Sequence, residues 1–131
     1  MIFSGIGNPD SFRQTLINNN IKITKEIIFP DQLLMIFAQD ILSRIKGAEI
    51  VFDVKCSNLL GEMIEASGGK PCMSATGHFH IKNALKKSGA PLAGEMSGHI
   101  FFNDQWYGFD DGHYSAFRLI EIISQMNESL A

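Results

Sequence analysis

Residues 94 to 99, GEMSGH, carry three different polar groups on alternate positions. Glu95 supplies a carboxylate, Ser97 a hydroxyl and His99 an imidazole, and glycines stand at positions 94 and 98. A carboxylate can accept from two neighbouring hydroxyls, a serine can both donate and accept, and an imidazole exchanges a proton near neutral pH. Because glycine lets backbone come close to a ligand, the loop has the chemistry to recognise a sugar.

Two further groups of polar residues follow short apolar runs. Lys55 ends the run AEIVFDVK, and ATGH at 75–78 links the run KPCMS to a helix-like stretch. A lysine and the backbone amides at a helix start suit an anionic group. Since the carboxyl ends of parallel strands meet at one edge of a sheet, we expect these groups to lie beside the 94–99 loop. The predicted substrate-binding residues are Lys55, Thr76, Gly77, His78, Glu95, Ser97 and His99.

Each of these residues also has an ordinary explanation. A glutamate between two short strands is usually solvated, and a serine–glycine pair usually forms a turn. A single histidine usually lies on the surface or is hydrogen-bonded in the core. The inferred position of the residues at strand ends favours a site, and on the residues alone both interpretations stay open.

Metal-binding patterns are weak in this sequence. His78 and His80 are two residues apart, which on a helix directs them to different faces. The sequence DDG at 110–112 lacks the third carboxylate of a calcium loop and is better explained as a helix cap. The two cysteines, Cys56 and Cys72, match no zinc pattern and are expected to be buried or half-buried free thiols. We therefore expect no metal site.

Composition favours one globular domain. The chain has 131 residues, 45% of them hydrophobic and 19% charged, with a net charge of −3. No apolar run approaches the ~20 residues of a membrane-spanning helix, and the negative charge offers no basic surface for nucleic acid. The start, MIFSGIGNPD, lacks the features of a secretory signal. We expect a cytoplasmic protein with neither a membrane nor a nucleic acid as partner.

Short β-like runs alternate with helix-like stretches, a pattern typical of βαβ units. Residues 91–96 and 98–109 are both β-like and almost adjacent, which predicts a hairpin or a bent edge. The predicted fold is a single three-layer α/β/α domain whose mainly parallel sheet has an antiparallel edge strand. The predicted helices after residue 29 span 30–47, 57–69, 77–89 and 111–126.

From about residue 29 to residue 126 the chain resembles the third domain of the α-D-phosphohexomutases, the phosphomannomutase/phosphoglucomutase family. PDQLLMIFAQDILSR, FDVKCS, ATGH, GAPLAGEMSGHIFF and WYGFDDGHYSAFRLIEI carry the resemblance, in this order. It implies that Glu95 and Ser97 recognise adjacent hydroxyls of a hexose, with His99 as a contact or proton-transfer helper. It also implies that Lys55 and His78 belong to the active site, and that the function is recognition of the sugar.

The sequence lacks the motifs with which that family transfers a phosphoryl group. A complete family member has four domains, with a phosphoserine loop, a magnesium loop of the form DGDGDR and a domain that binds the substrate phosphate. Neither motif occurs in these residues, and phosphoryl transfer depends on the donor and the metal. We therefore expect no complete catalytic set, no bound cofactor, weak hexose phosphate binding at most, and no turnover by this chain alone. Other mutase domains could complete it in trans; the alternative is a chimeric or decayed folded fragment without specific activity.

The amino-terminal residues resemble another family. FSGIGNPDSFRQTLINNNIKITKEIIFPD is similar to a short piece of the tetraacyldisaccharide (lipid A) kinases around the GIGNP loop and the FPD motif, without the P-loop. The resemblance implies a natural or engineered join near Pro30 and Asp31. Residues 1–30 would then be a kinase-like βαβ extension, and residues 31–131 the phosphohexomutase-like part, of one domain. The extension would lengthen or cover a sheet edge.

Overall fold

The computed structural model describes residues 28–125, which form four helices and four strands. The strand, helix and strand predicted for residues 1–30 lie almost entirely outside the described residues. In chain order the elements are α1 Pro30–Arg44, β1 Glu49–Asp53, α2 Asn58–Ala66, β2 Lys70–Ser74, α3 His78–Ser88, β3 Leu92–Gly94, β4 Ile100–Phe102 and α4 Gly112–Gln125.

Local chemistry sets the helix ends. Pro30 occupies the first turn of α1, where its missing N–H costs no hydrogen bond. The Ser57 side chain caps α2, and Gly89 ends α3 with a left-handed φ of 69°. Asp111 caps α4, because its Oδ1 accepts from the backbone N–H of Tyr114 at 3.0 Å. These ends confirm the four predicted helices to within a few residues.

The sheet has the strand order β2-β1-β3-β4. β1 pairs in parallel with β2 and β3, and β3 pairs antiparallel with β4. The predicted mainly parallel sheet with an antiparallel edge strand is therefore confirmed. Two predicted β-like runs are shorter in the structure. β1 ends at Asp53, so that the predicted strand end, Lys55, lies in the following turn, and of residues 98–109 only Ile100–Phe102 form a strand.

Helices cover both faces of the sheet. Ile50 and Phe52 of β1 face a core shared with α1, α2 and α4, whereas Val51 faces a second core with α3. This alternation is the period of two that a strand imposes on its side chains. The predicted three-layer α/β/α arrangement is confirmed.

α4 buries a different set of residues from the set its apolar pattern predicts. The apolar pattern of this helix places Ala116, Leu119, Ile120 and Ile123 toward the core. Leu119 is buried as this pattern predicts, but Ile120 is 61% exposed and Arg118 is buried. The Arg118 Nη2 donates to Asp40 Oδ2 at 2.6 Å and lies 3.6 Å from Asp104 Oδ2. Arg44 bridges the same two carboxylates, so ion pairs join α1, α4 and the loop after β4.

Both cysteines are free, with Cys56 buried and Cys72 half-buried, as predicted. Burial, followed by the neighbouring Glu49, raises the pKa of Cys72 to about 11, so its thiol is protonated near neutral pH. Within residues 28–125, no helix combines the length and the apolar content that a membrane-spanning segment requires.

Replacing Gly94 by alanine is expected to lower the free energy of unfolding by about 1–3 kcal/mol through overpacking. A Cβ at position 94 would lie 2.7 and 2.8 Å from the two Cδ atoms of Leu34, which is fully buried in α1. Gly112→Ala is the matched control, since a Cβ there meets nothing within 4 Å. Urea unfolding followed by circular dichroism measures both variants, and equal losses would contradict this account.

Replacing Arg118 by alanine is expected to cost about 3 kcal/mol of unfolding free energy, because the half-buried carboxylates of Asp40 and Asp104 lose their buried cation. Arg44→Ala removes a cation from the same two carboxylates, but the Arg44 side chain is 36% exposed against 7% for Arg118. The control should therefore cost about 1 kcal/mol or less. If Arg44→Ala lost more unfolding free energy than Arg118→Ala, the claim that the buried arginine contributes more to stability would be wrong.

Candidate functional site

The strand order creates a crevice at the carboxyl edge of the sheet. The chain leaves β1 through α2 on one face and leaves β2 through α3 on the other, while β1 and β3 lie side by side. In open α/β sheets, ligands bind where neighbouring connections diverge in this way. The loops at 54–57, 75–77 and 95–99 follow β1, β2 and β3 and lie at this edge.

Asp53, the last residue of β1, joins these loops. Its side chain is fully buried, and Oδ2 accepts from the Thr76 hydroxyl at 2.9 Å. Oδ1 accepts from the Met96 backbone N–H at 3.1 Å and from the Cys56 thiol at 3.1 Å. Burial, and then the hydrogen bond to Asp53, raise the pKa of Cys56, which keeps this thiol a donor. A single carboxylate thus holds one residue from each of the three loops.

Asp53 is absent from the residues predicted from the sequence. The available indication was a carboxylate at the end of an otherwise apolar, buried strand. A carboxylate in such a place must find hydrogen-bond donors, since burying it unpaired is costly. Two of its three donors, however, belong to Thr76 and Met96, in loops far along the chain that the sequence pattern does not identify.

Glu95 lies inside the crevice and is only 2% exposed. Its Oε1 accepts from the Gly77 backbone N–H at 2.6 Å, which ties the 95–99 loop to the start of α3. Its Oε2 is buried and has no hydrogen-bond partner among the described residues. The Nε2 atom of the His78 imidazole lies 3.9 Å from Oε2. The ordinary interpretation of Glu95 as a solvated loop residue is therefore wrong.

Two accessible imidazoles lie near Glu95. The rings of His78 and His99 meet edge to face with centroids 4.3 Å apart, and their side chains are 43% and 45% exposed. Asp110 Oδ2 lies 2.7 Å from His99 Nδ1 and 3.6 Å from His78 Nε2. The sequence predicts either Asp110 or Asp111 as the cap of the last helix. The cap is Asp111, which leaves the Asp110 carboxylate for the histidines.

Lys55 and Ser97 occupy exposed turns at the same edge. Neither side chain makes a hydrogen bond or ion pair to another residue within 28–125. The 95–99 loop is closed by its own backbone, because Glu95 N–H donates to the His99 carbonyl at 2.9 Å and Gly98 N–H donates to the Glu95 carbonyl at 3.0 Å. The structure links five of the seven predicted residues by contacts, either with one another or through Asp53 and Asp110, and places the other two at the rim.

One group of potential metal ligands occurs in the described part of the chain. Donor atoms of His78, His99 and Asp110 lie within 4.8 Å of one another. Two imidazoles and one carboxylate do not suit Mg²⁺, which prefers oxygen ligands and retains water. The magnesium ion of the phosphohexomutases therefore does not fit this group, and we assign no step to it.

Comparison with known proteins gives a consistent result. A family model described as phosphoglucomutase/phosphomannomutase, alpha/beta/alpha domain III, matches residues 29–131. A phosphomannomutase/phosphoglucomutase of Pseudomonas putida is 58% identical over 106 residues, which are 81% of this chain and 23% of that protein. A solved structure of a phosphoglucomutase/phosphomannomutase family protein from Burkholderia thailandensis aligns with a TM-score of 0.76 and 52% identity, covering 79% of this chain and 22% of that one.

A more distant relative aligns with the whole chain. The phosphomannomutase of Methanocaldococcus jannaschii is 30% identical over 131 residues, which are 100% of this chain and 27% of that protein. None of these comparisons supports the resemblance of residues 1–31 to a lipid A kinase. The chain spans about a quarter of the length of the curated relatives that it matches. By the match over residues 29–131, this chain belongs to the phosphoglucomutase/phosphomannomutase family and corresponds to its α/β/α domain III.

Proposed function

We propose that this domain recognises the hexose part of a hexose phosphate and does not transfer the phosphoryl group by itself. Glu95 and Ser97 contact adjacent hydroxyls of the sugar, and His99 and His78 complete the polar surface around it. Lys55 accommodates an anionic or electron-rich part of the ligand, and Thr76 and Gly77, which Asp53 and Glu95 hold in place, form the backbone beside it. Names of relatives that include phosphomannomutase and phosphoglucomutase support this ligand class.

The observation that carries the proposal is the buried Oε2 of Glu95, which has no hydrogen-bond partner among the described residues. An unpaired buried acceptor lowers stability by about 1–3 kcal/mol, and more when it is charged. A sugar hydroxyl in the crevice would donate to this oxygen and recover that loss. Native proteins tolerate few such groups, and those that persist call for a functional explanation.

The site is held in shape before any ligand arrives. Asp53 fixes Thr76 and Met96, and Glu95 Oε1 fixes Gly77, so loops from three strands are positioned by two buried carboxylates. A site held in its bound geometry loses less conformational entropy on binding. Preorganisation of this kind suits recognition of a rigid ring with several hydroxyls.

His99 is oriented by its carboxylate neighbour. With Nδ1–H donating to Asp110 Oδ2 at 2.7 Å, Nε2 is left with a free lone pair. That nitrogen can accept a hydrogen bond or a proton from a sugar hydroxyl. The role of proton-transfer helper therefore goes to His99, with Asp110 as its positioning residue.

Titration with glucose 1-phosphate and mannose 1-phosphate at millimolar concentration tests sugar recognition. We expect the amide resonances of Lys55, His78 and residues 94–99 to shift together in heteronuclear NMR spectra. Glu95→Gln should weaken binding about tenfold or more, since a hydrogen bond to a charged group contributes about 1.5–3 kcal/mol. Glu62→Gln, an exposed change on α2, should leave binding unaltered.

A serine pair adds a second control to this titration. Ser97→Ala should weaken binding, whereas Ser43→Ala changes an exposed hydroxyl on α1, far from the 94–99 loop in sequence. Absence of any shift at millimolar ligand would support the alternative of a folded fragment without specific activity. Mutase turnover by the purified chain would overturn the view that it is catalytically incomplete.

Replacing Asp53 by asparagine should release the loops that this carboxylate holds. We expect the free energy of unfolding to fall by about 2–3 kcal/mol, because hydrogen bonds to a buried charge are replaced by weaker ones and one amide N–H₂ faces other donors. Backbone amides in the 75–77 and 95–99 loops should exchange with solvent faster. Asp111→Asn is the matched control, since asparagine caps a helix about as well as aspartate. Unchanged exchange in Asp53→Asn would show that another contact holds the loops.

A further inference from the structure

We propose that His78, His99 and Asp110 bind a borderline divalent transition-metal ion, with Zn²⁺ as the first candidate. The three side chains come from the start of α3, the turn before β4 and the segment before α4. They are separated along the chain by 21 and 11 residues, so no sequence motif joins them. This inference contradicts the expectation from the sequence that the chain holds no metal site.

The distances suit a single ion. Around a tetrahedral zinc ion with bonds of about 2.0–2.1 Å, neighbouring ligand atoms stand roughly 3.3 Å apart. Asp110 Oδ2 lies 2.7 Å from His99 Nδ1 and 3.6 Å from His78 Nε2, on either side of that value. The residue Asp110 is itself positioned by a backbone bridge to Phe101 of β4. All three donor atoms lie within 4.8 Å of one another, so binding of one ion requires side-chain rotations and transfer of the His99 ring proton from Nδ1 to Nε2.

A second, independent observation points to a cation at this place. The Oε2 of Glu95 is buried without a hydrogen-bond partner in residues 28–125, and it lies 3.9 Å from the same His78 Nε2. Neither Glu95 nor Asp110 has a lysine or arginine in ion-pair contact among the described residues. Two carboxylates thus face a pair of imidazoles, and a divalent ion would neutralise their charge. The Glu95 carboxylate either supplies the fourth ligand or stabilises the ion through its negative charge.

The donor set selects the class of ion. Imidazole nitrogen suits Zn²⁺, Ni²⁺, Co²⁺ and Cu²⁺, whereas Ca²⁺ and Mg²⁺ prefer oxygen. The imidazoles are 43% and 45% exposed, so water or a small molecule can complete the coordination sphere. The metal site and the proposed sugar site share His78 and His99. The metal-binding proposal does not rest on sugar recognition, because the metal is titrated in the absence of sugar.

The test uses the full chain without an affinity tag. Isothermal titration with Zn²⁺ should show one ion per chain, and Co²⁺ should give the visible d–d absorption of a four- or five-coordinate site without a thiolate charge-transfer band. His99→Ala and the size-conserving Asp110→Asn should each weaken Zn²⁺ binding about tenfold or more, the scale seen for changes around metal centres. His80→Ala is the matched control, because His80 is exposed on α3 two residues from His78.

Several results would overturn the inference. A Zn²⁺ affinity that is unchanged in both His99→Ala and Asp110→Asn would do so, as would an equal loss in His80→Ala. A thiolate-to-cobalt charge-transfer band would place the ion at Cys56 or Cys72 instead. The NMR fingerprint of each variant is compared with that of the parent chain. A matching fingerprint shows that the variant is folded, so that weaker Zn²⁺ binding results from the change at the site.

Discussion

The carboxylate of Asp53 is buried completely at the carboxyl end of β1 and accepts from a hydroxyl, a backbone amide and a thiol. No cation is among these donors, and no ion pair to Asp53 occurs within residues 28–125, so in this part of the chain hydrogen bonds stabilise the carboxylate. An ionised carboxylate out of water is costly by several kcal/mol unless its oxygens are satisfied. Each donor is thereby held in place, and the loops that follow the three parallel strands acquire fixed positions relative to one another.

Glu95 extends the same arrangement toward solvent. One of its oxygens holds Gly77 at the start of α3, while the other has no hydrogen-bond partner among the described residues. Accessible imidazoles of His78 and His99 lie near that oxygen, oriented by Asp110. A buried carboxylate beside two accessible imidazoles suits a ligand that brings hydrogen-bond donors or positive charge. A sugar hydroxyl and a divalent metal ion satisfy this requirement in different ways, which is why one cluster supports both proposals.

Local patterns in the sequence predicted the helices and the layering well. Helix ends depend on residues within one turn: a capping serine or aspartate, a proline in the first turn or a glycine after the last turn. The predicted helix ends therefore lie within a few residues of the observed ones. The predicted burial was wrong where it depends on partners from other elements of the fold. Arg118 is buried and Ile120 exposed on α4, because Asp40 and Asp104 offer partners that no pattern within the helix reveals.

The sequence by itself determined the elements, the fold class and the chemical character of the 94–99 loop, since these depend on near neighbours and on residue type. Only the tertiary structure decided which polar groups meet. Asp53 and Thr76 are 23 residues apart, Asp53 and Met96 are 43 apart, and Glu95 and Gly77 are 18 apart. Such pairs form because the strand order brings their loops to one edge, where buried carboxylates must find donors. The isolation of Glu95 Oε2 and the convergence of His78, His99 and Asp110 are consequences of that packing.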